Sequence, residues 1–532
     1  MLMSRRLYVG LLVIALLIGL PMAVNALGGP ELAGTEPAGS GADTTAVGTS
    51  GEPGTTYEPA SQPNIVFISA DDMTLDEMRY LPRVKRLLGQ AGVTFTDFTA
   101  PQPLCCPSRA QQLTGQYAQN NGVRANSGRY GGYDAFEPET AMPVWLQQAG
   151  YHTAMVGKYL NGYKGRDAKE GGVEVGWDHW DPTIKAIYQY LGYGQYNNGD
   201  RFRPKAYHTD YVARRSAQLI EEMAAEDSPF FLWTSFVGPH GRCPVKAEAG
   251  GCRFPPVVAR RHRKLHPDLV ARARAKPSFN EKVMDDKPGF LRRRPMIPTK
   301  RIDTLQRARA GALAAVDEGV ETVVQALRAS GSADNTLVVF TSDNGYLMGE
   351  HRYQGKILGY EEAVRVPLVM AGLGLPQGVK DAQTVAMIDL APTFAELAGA
   401  TPLIEVDGAP IHVRTGPEAA EVDDRTLLIQ AGASNLRKFP TGWWFRGVRT
   451  SRYTYVRYER DGFVELYDRD RDPFQLRNRA DDPRYREVRT ELAKRAFVLT
   501  QCNGSDCRPD LDPVMSPQQR GPAPGAGPLA DR

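Results

Sequence analysis

Two short apolar runs, each ending in acidic residues, constrain the fold of this chain more than any other feature. Asn64-Ile65-Val66-Phe67-Ile68-Ser69 runs into Ala70-Asp71-Asp72, and Thr336-Leu337-Val338-Val339-Phe340-Thr341-Ser342 runs into Asp343-Asn344-Gly345. Continuous rather than alternating apolarity, rich in β-branched residues, marks strands buried on both faces. Ahead of the second run, Ala312, Leu313, Val316, Val320, Val323, Val324 and Leu327 recur at helical spacing, with Gly331 just past the expected helix end. Phe230-Phe231-Leu232-Trp233-Thr234-Ser235 reads as a further buried strand leading to Gly238-Pro239-His240, and Thr153-Ala154-Met155-Val156 as another leading to Gly157-Lys158. Strands alternating with helices predict an α/β fold whose sheet is covered on both faces. Ligands of such sheets gather at the carboxyl ends of the strands. All four of these turns fall there.

The remaining sequence divides the chain. Ser4-Arg5-Arg6, an apolar run from Leu7 to Leu20, Pro21 and Ala23-Val24-Asn25-Ala26 follow the order of a secretory signal over residues 1–26. Uncleaved, the run extended to Val24 reaches about 18 residues, the lower limit for a membrane anchor. Residues 27–62, rich in Gly, Ser, Thr and Pro, read as a flexible linker. A catalytic domain is expected over 63–432. From 433 to 510 the texture changes to short aromatic runs such as Tyr453-Thr454-Tyr455-Val456-Arg457-Tyr458, which predict a smaller domain with an antiparallel sheet and a helix including Val488, Leu492 and Phe497. Residues 511–532 read as a disordered tail. Lys and Arg number 64 against 61 Asp and Glu, a net charge of +3 that gives no global reason to expect a nucleic-acid partner. The oligomeric state is not encoded in any pattern.

Asp71, Asp72, Asp343 and Asn344 are hard oxygen donors, suited to Ca2+ or Mg2+ and poor for zinc. Taken singly, each pair also reads as a helix cap or an ordinary turn. Of six cysteines, Cys243 with Cys252 and Cys502 with Cys507 read as short-loop disulfides in an exported chain. Cys105 and Cys106 remain, in Cys105-Cys106-Pro107-Ser108-Arg109 with Leu113-Thr114-Gly115 beyond. By themselves they also fit a vicinal pair in a tight turn, with Pro107 opening a helix.

Taken in order, these motifs resemble the type I, formylglycine-dependent sulfatases. The resemblance runs from Asp71-Asp72 through Cys105 to Arg109, Gly157-Lys158, Gly238-Pro239-His240 and Ser342 to Gly345. It continues through Gly349-Glu350-His351, Lys356, Tyr360-Glu361-Glu362 and Arg365-Val366-Pro367-Leu368. Cys105 to Arg109 and Gly157 to Tyr163 are most similar to the branch of N-acetylglucosamine-6-sulfatases and extracellular heparan endosulfatases. The resemblance implies an alkaline-phosphatase-like sandwich with a large mixed, mostly parallel sheet between helices. It implies hydrolysis of sulfate esters, such as glucosamine 6-sulfate, by the hydrate of a formylglycine that a formylglycine-generating enzyme makes from Cys105. That conversion also accounts for the leftover thiols. Asp71, Asp72, Asp343, Asn344 and residue 105 would hold Ca2+, or alternatively Mg2+. Arg109 would stabilise the nucleophile, Lys158 and Lys356 would bind sulfate as compact cations, His240 would protonate the departing alcohol, and His351 would contact sulfate or serve the structure.

One position departs from the family. Many sulfatases carry a histidine two residues after the lysine of Gly-Lys, where this chain has Leu160, so that motif does not supply the base for sulfate release. Arg260-Arg261-His262-Arg263-Lys264 and Arg292-Arg293-Arg294 read either as a polyanion-binding stretch or as a solvated arm. Two other functions stay open at this stage: a phosphonate or phosphate ester hydrolase of the alkaline phosphatase superfamily, and a catalytically inactive glycan-binding protein.

Overall fold

The computed structural model describes residues 62–165, 172–243, 252, 254–514 and 516. The expected signal segment, all but the last residue of the expected linker and most of the expected tail lie outside the described residues. Among the described residues no helix is long and apolar enough to cross a membrane.

Alternate residues of the strand Asn64–Ala70 explain the layering. Ile65 and Phe67 point into one core with Trp145, Phe231, Trp233 and Phe394, while Val66 and Ile68 point into another with Val212, Leu313, Val316 and Val320. A side chain buried in this way contributes roughly 1.5 to 3 kcal/mol, so a strand apolar on both faces is stable only as the middle layer of a sandwich. The first core is covered by helices Cys105–Thr114, Met142–Gln148 and Leu390–Ala398, the second by His208–Met223 and Thr299–Ala329. The long helix buries every apolar position that the periodicity marks, and Gly331 follows it with φ +76°.

The sheet has ten strands. From one edge they run Val379–Ala386, Gly92–Thr99, Leu368–Ala371, Thr336–Ser342, Asn64–Ala70, Phe230–Ser235, His152–Gly157, His179–Lys185, Gly194–Asn197 and Asp200–Phe202. The central strands are parallel, Asn64–Ala70 pairing with Thr336–Ser342 on one side and Phe230–Ser235 on the other, and antiparallel pairings lie towards the edges. This is the mixed, mostly parallel sheet that was expected. Register decides function here. Ala70 lies opposite Ser342, Ser69 opposite Ser235, and Ser235 opposite Gly157, so four strands stop abreast. Their next residues emerge along one line.

A second sheet, antiparallel throughout, is built from Leu427–Gly432, Trp443–Arg449, Tyr453–Tyr458 and Val464–Asp468. Its first strand lies ahead of the boundary at 433, because the continuous apolar run Leu427-Leu428-Ile429 is textured like the large sheet. The helix Arg486–Leu499 covers it through Val488, Leu492, Ala496 and Leu499. Phe497, expected on that face, is 68% exposed. Five residues beyond Leu492 at 100° per residue, it lies on the opposite side of the helix. Cys243 is bonded to Cys252 and Cys502 to Cys507, while Cys105 and Cys106 are free and buried.

Candidate active site

Each strand end delivers its own functional group. Asp71 and Asp72 follow Ala70, with the Asp72 backbone at φ +65°, a left-handed conformation that aspartate tolerates better than most residues. Asp343 follows Ser342, and its N–H donates to Ala70 O. Lys158 follows Gly157, whose φ is +106° and where an added Cβ would lie 2.1 Å from Ser235 O. Only glycine lets the two strands approach so closely there. His240 follows Phe230–Ser235 after a short turn.

Cys105 enters from the covering helix, as the first residue of Cys105–Thr114. Pro107 therefore stands inside the first turn rather than opening the helix, where its missing N–H costs nothing. The Cys106 N–H donates to Asn126 Oδ1 (2.9 Å), and Gly115 closes the helix at φ +66°. Ser108 Oγ donates to Asp343 O (2.5 Å), tying the helix to the strand end.

These groups meet in one buried cluster. Cys105 Sγ lies 2.6 Å from Lys356 Nζ and 3.4 Å from Asp71 Oδ1. Lys158 pairs with Asp71 and Lys356 with Asp72. Arg109, fully buried, donates from Nε to Asp343 Oδ2 (2.9 Å) and from Nη1 to Lys158 O (2.8 Å) and Ser235 Oγ (2.6 Å), while Nη2 has no partner among the described residues. Asn344 Nδ2 donates to Asp72 Oδ1 (2.8 Å), and its buried Oδ1 has no donor among the described residues. His240 Nε2 faces Asp72 Oδ2 at 3.4 Å and Nδ1 lies 2.6 Å from Gly241 O. A carbonyl oxygen only accepts, so Nδ1 carries a proton and the neutral ring presents Nε2 as a lone pair. To act as an acid this ring must hold a second proton.

Burial and charge set the protonation states. Burial alone would raise the Asp71 carboxyl, but Lys158, then His240, Arg109 and Lys356, hold it well below the usual range. Burial works likewise on Asp72 and is overcome by His240 and Lys356. Burial, reinforced by Asp71, raises Asp343 to about 6. Burial pushes the Cys105 thiol up to about 12, with Asp71 adding to it. Such a thiol is a poor nucleophile near neutral pH. Burial lowers His240 to about 4 against the pull of Asp72 and Asp71.

Carboxylate oxygens of Asp71 and Asp72 lie within 4.8 Å of each other and of Cys105 Sγ and a His240 ring nitrogen, and Asn344 Oδ1, without a partner among the described residues, adds a neutral oxygen. These oxygens suit a hard divalent cation, which the thiol and imidazole do not. The buried Arg109 Nη2, without a partner among the described residues, is a spare donor for an oxygen acceptor.

Sequence reasoning missed three supporting groups. Tyr188 stacks on His240 with ring centroids 4.2 Å apart, lies under Lys158 Nζ at 4.6 Å, and accepts at Oη from Asn161 Nδ2 (2.5 Å). Buried Arg309 and Glu77 form an ion pair, and Arg309 Nη2 also donates to Asp72 O (2.5 Å). No local pattern marks Tyr188 or Arg309, because tertiary packing alone brings them in. His351 is buried, and its Nε2 has no partner among the described residues. Its fully buried ring is stacked on Tyr360 at 4.0 Å, with Nδ1 bound to Glu281 Oε2 (2.6 Å). Leu160 is buried among the apolar residues of the first core.

Above the cluster opens a cleft of about 1210 Å³ whose floor includes Asp72, Tyr188, His240 and Lys356. Cations ranged around a buried sulfur, at the carboxyl edge of a parallel sheet and under an open cleft, define the site of a hydrolase for anionic esters. Residues 63–400 match the sulfatase family, and residues 349–501 match the C-terminal region of N-sulphoglucosamine sulphohydrolase. The chain belongs to the sulfatase family and is a sulfuric ester hydrolase. It is 30% identical over 498 residues to the N-acetylglucosamine-6-sulfatase of Capra hircus, covering 84% of this chain and 85% of that protein. A protein solved in complex with its substrate D-glucosamine-2-N,6-O-disulfate superposes with a TM-score of 0.65 at 22% identity, over 82% of this chain and 96% of that one. The phosphonate monoester hydrolase of Agrobacterium radiobacter does so at 0.62 and 21% identity, over 82% and 95%. At these identities the two structures show a common fold alone.

Proposed function

We propose that this sulfatase is exported and hydrolyses the sulfate ester of a sulfated sugar, glucosamine 6-sulfate being representative, at the cluster around residue 105. The observation that carries this reading is the meeting of Cys105 Sγ with Lys356 at 2.6 Å and Asp71 at 3.4 Å, with Lys158, Arg109 and His240 around them. The similarity to N-acetylglucosamine-6-sulfatases supports the sugar. The two disulfides support export.

Lys356 and Lys158 hold the sulfate oxygens as point charges, and Arg109 fixes Asp343 while presenting its spare Nη2 to an oxygen on residue 105. With residue 105 oxidised to formylglycine by a maturation enzyme, the hydrated aldehyde supplies the oxygen nucleophile that attacks sulfur. A divalent cation, Ca2+ or alternatively Mg2+, would be held by Asp71, Asp72, Asp343, Asn344 and residue 105 and would supply Lewis-acid polarisation of a sulfate oxygen. Three buried carboxylates, Asp71, Asp72 and Asp343, already face Lys158, Arg109 and the partly buried Lys356, so a divalent ion and a monoanionic sulfate ester entering together would add one net charge. His240, held by Tyr188 and Gly241 O, donates a proton from Nε2 to the departing sugar oxygen, and Asp72 favours the imidazolium it needs.

Peptide mass spectrometry of active protein is expected to show formylglycine at 105 and an unmodified Cys106. Turnover of glucosamine 6-sulfate should exceed that of phosphate and phosphonate monoesters, and should be lost on stringent chelation. Thiol at 105 in fully active enzyme, or preference for a phosphonate ester, would overturn the reading.

A further inference from the structure

The cleft is far more cationic than its floor requires. Its lining carries eight Arg and Lys side chains against two carboxylates, Asp72 and Asp461, and Asp72 is already paired with Lys356. Seven of the cations, all but Lys356, have no carboxylate partner among the described residues, Arg292, Arg293, Arg294, Arg301 and Arg352 among them. Two of these are held in place. The Arg352 guanidinium donates to three backbone carbonyls, of Glu281 (2.8 Å), Lys282 (3.0 Å) and Arg294 (3.3 Å). Arg294 lies over the Tyr353 ring at 4.4 Å, with a buried Nε that has no partner among the described residues. The other basic stretch of the sequence differs: Arg261 is bound by Asp210 and Glu318, His262 by Glu318, and neither lines the cleft.

Unpaired like charges along one wall repel one another, and an anion relieves that repulsion. Guanidinium groups match the paired oxygens of sulfate and carboxylate. The volume of about 1210 Å³ exceeds the roughly 300 to 1,000 Å³ of pockets for drug-sized ligands. Phe290 and Trp444, packed at 5.2 Å, offer aromatic faces to sugar rings within the same cleft.

Building on the proposed sugar-sulfatase reading, we propose that this arginine wall is a second anion subsite. It binds sulfate or carboxylate groups on sugars neighbouring the one that is cleaved, so the preferred substrate is a polyanionic oligosaccharide rather than a monosaccharide sulfate.

The test compares the mature enzyme with R292Q/R293Q/R301Q, whose exposed side chains make no hydrogen bond or ion pair among the described residues, on three substrates. These are an aryl sulfate, glucosamine 6-sulfate, and a tetrasaccharide bearing several sulfates and carboxylates with one cleavable 6-sulfate. The variant is expected to keep aryl sulfate and monosaccharide turnover within about twofold while losing about tenfold or more in kcat/KM on the tetrasaccharide, mostly through KM and most strongly at low salt. R292K/R293K/R301K should recover most of the loss. Equal losses on all substrates, a salt-independent loss, or a wild-type enzyme that does not favour the tetrasaccharide over the monosaccharide would overturn the subsite. Aryl sulfate turnover with neither sugar cleaved would instead overturn the sugar reading beneath it.

Discussion

The Arg309 and Glu77 pair makes a separable prediction, because it bears on both stability and the site. Arg309 donates from Nε to Glu77 Oε1 (2.7 Å) and from Nη2 to Glu77 Oε2 (2.5 Å), and reaches Asp72 O from the same Nη2. Both side chains are at most 2% exposed. In R309M, Glu77 becomes a buried unpaired charge, a loss of about 3 to 5 kcal/mol, and Asp72 O loses its donor, a further ~1 to 3 kcal/mol. In R309M/E77L the charge is gone but Asp72 O is still unsatisfied. Thr74 N and Gln306, which also bond Glu77, lose their acceptor. Removing the charge restores about 3 to 5 kcal/mol and the two orphaned donors each take back about 1 kcal/mol, so the double variant should recover about 1 to 3 kcal/mol over R309M in urea unfolding. Its turnover of an aryl sulfate should stay as low as that of R309M, since both lack the anchor on Asp72. If stability fails to recover, or if activity recovers with it, the claim that Arg309 acts on the site through the Asp72 carbonyl is wrong.

His240→Ala should slow a sugar sulfate by about 10² or more and an activated aryl sulfate much less, since only the sugar alcohol needs its oxygen protonated. Equal losses in steady-state kinetics would assign His240 to sulfate binding or support. For Tyr188, the phenylalanine variant keeps the ring between His240 and Lys158 and should hold activity within about tenfold, whereas Tyr188→Leu should reproduce the leaving-group dependence of His240→Ala. Leucine matching phenylalanine on both substrates would show that the stacking is incidental. A third test concerns the cluster of Arg449 with Asp97 and Glu361, joined at 2.6 to 3.1 Å. Burial raises both carboxyls, but Arg449 outweighs it and their values fall below the usual range. Their stabilisation is present above the unfolded values of about 4 and is lost as pH falls through the lower folded values. The urea midpoint gap between wild type and R449M should thus shrink at pH 3 relative to pH 7; a gap that widens on acidification contradicts the sign.

What could be read from sequence was local. The central strands announce themselves by continuous apolar runs, and the acidic, Gly-Lys and Gly-Pro-His turns sit where those runs stop, so Asp71, Asp343, Lys158 and His240 were legible as one edge. Lys356 was reached only through the order of motifs, since nothing local marks it. Tyr188, Asn161 and Arg309 were not legible, because a ring stacked on a histidine, an amide on a phenol and a guanidinium on a carbonyl are products of packing between distant segments. The two basic stretches look alike as composition. Folding separates them: Arg261 is consumed by carboxylates, while Arg292 to Arg294 face the cleft.

The helix that carries Cys105 is buried along its whole length, from Cys105 to Thr114. Under the proposed function, a maturation enzyme must reach this sulfur before the sheet and its covering helices close. Oxidation of Cys105 and folding would then compete in time, and a chain that folded first would keep its thiol, so the specific activity of a preparation would report which of the two events came first in each molecule. Slowing the closure of the sandwich, by weakening its packing or by delaying release of the chain, would raise the yield of active enzyme without altering a single residue of the site.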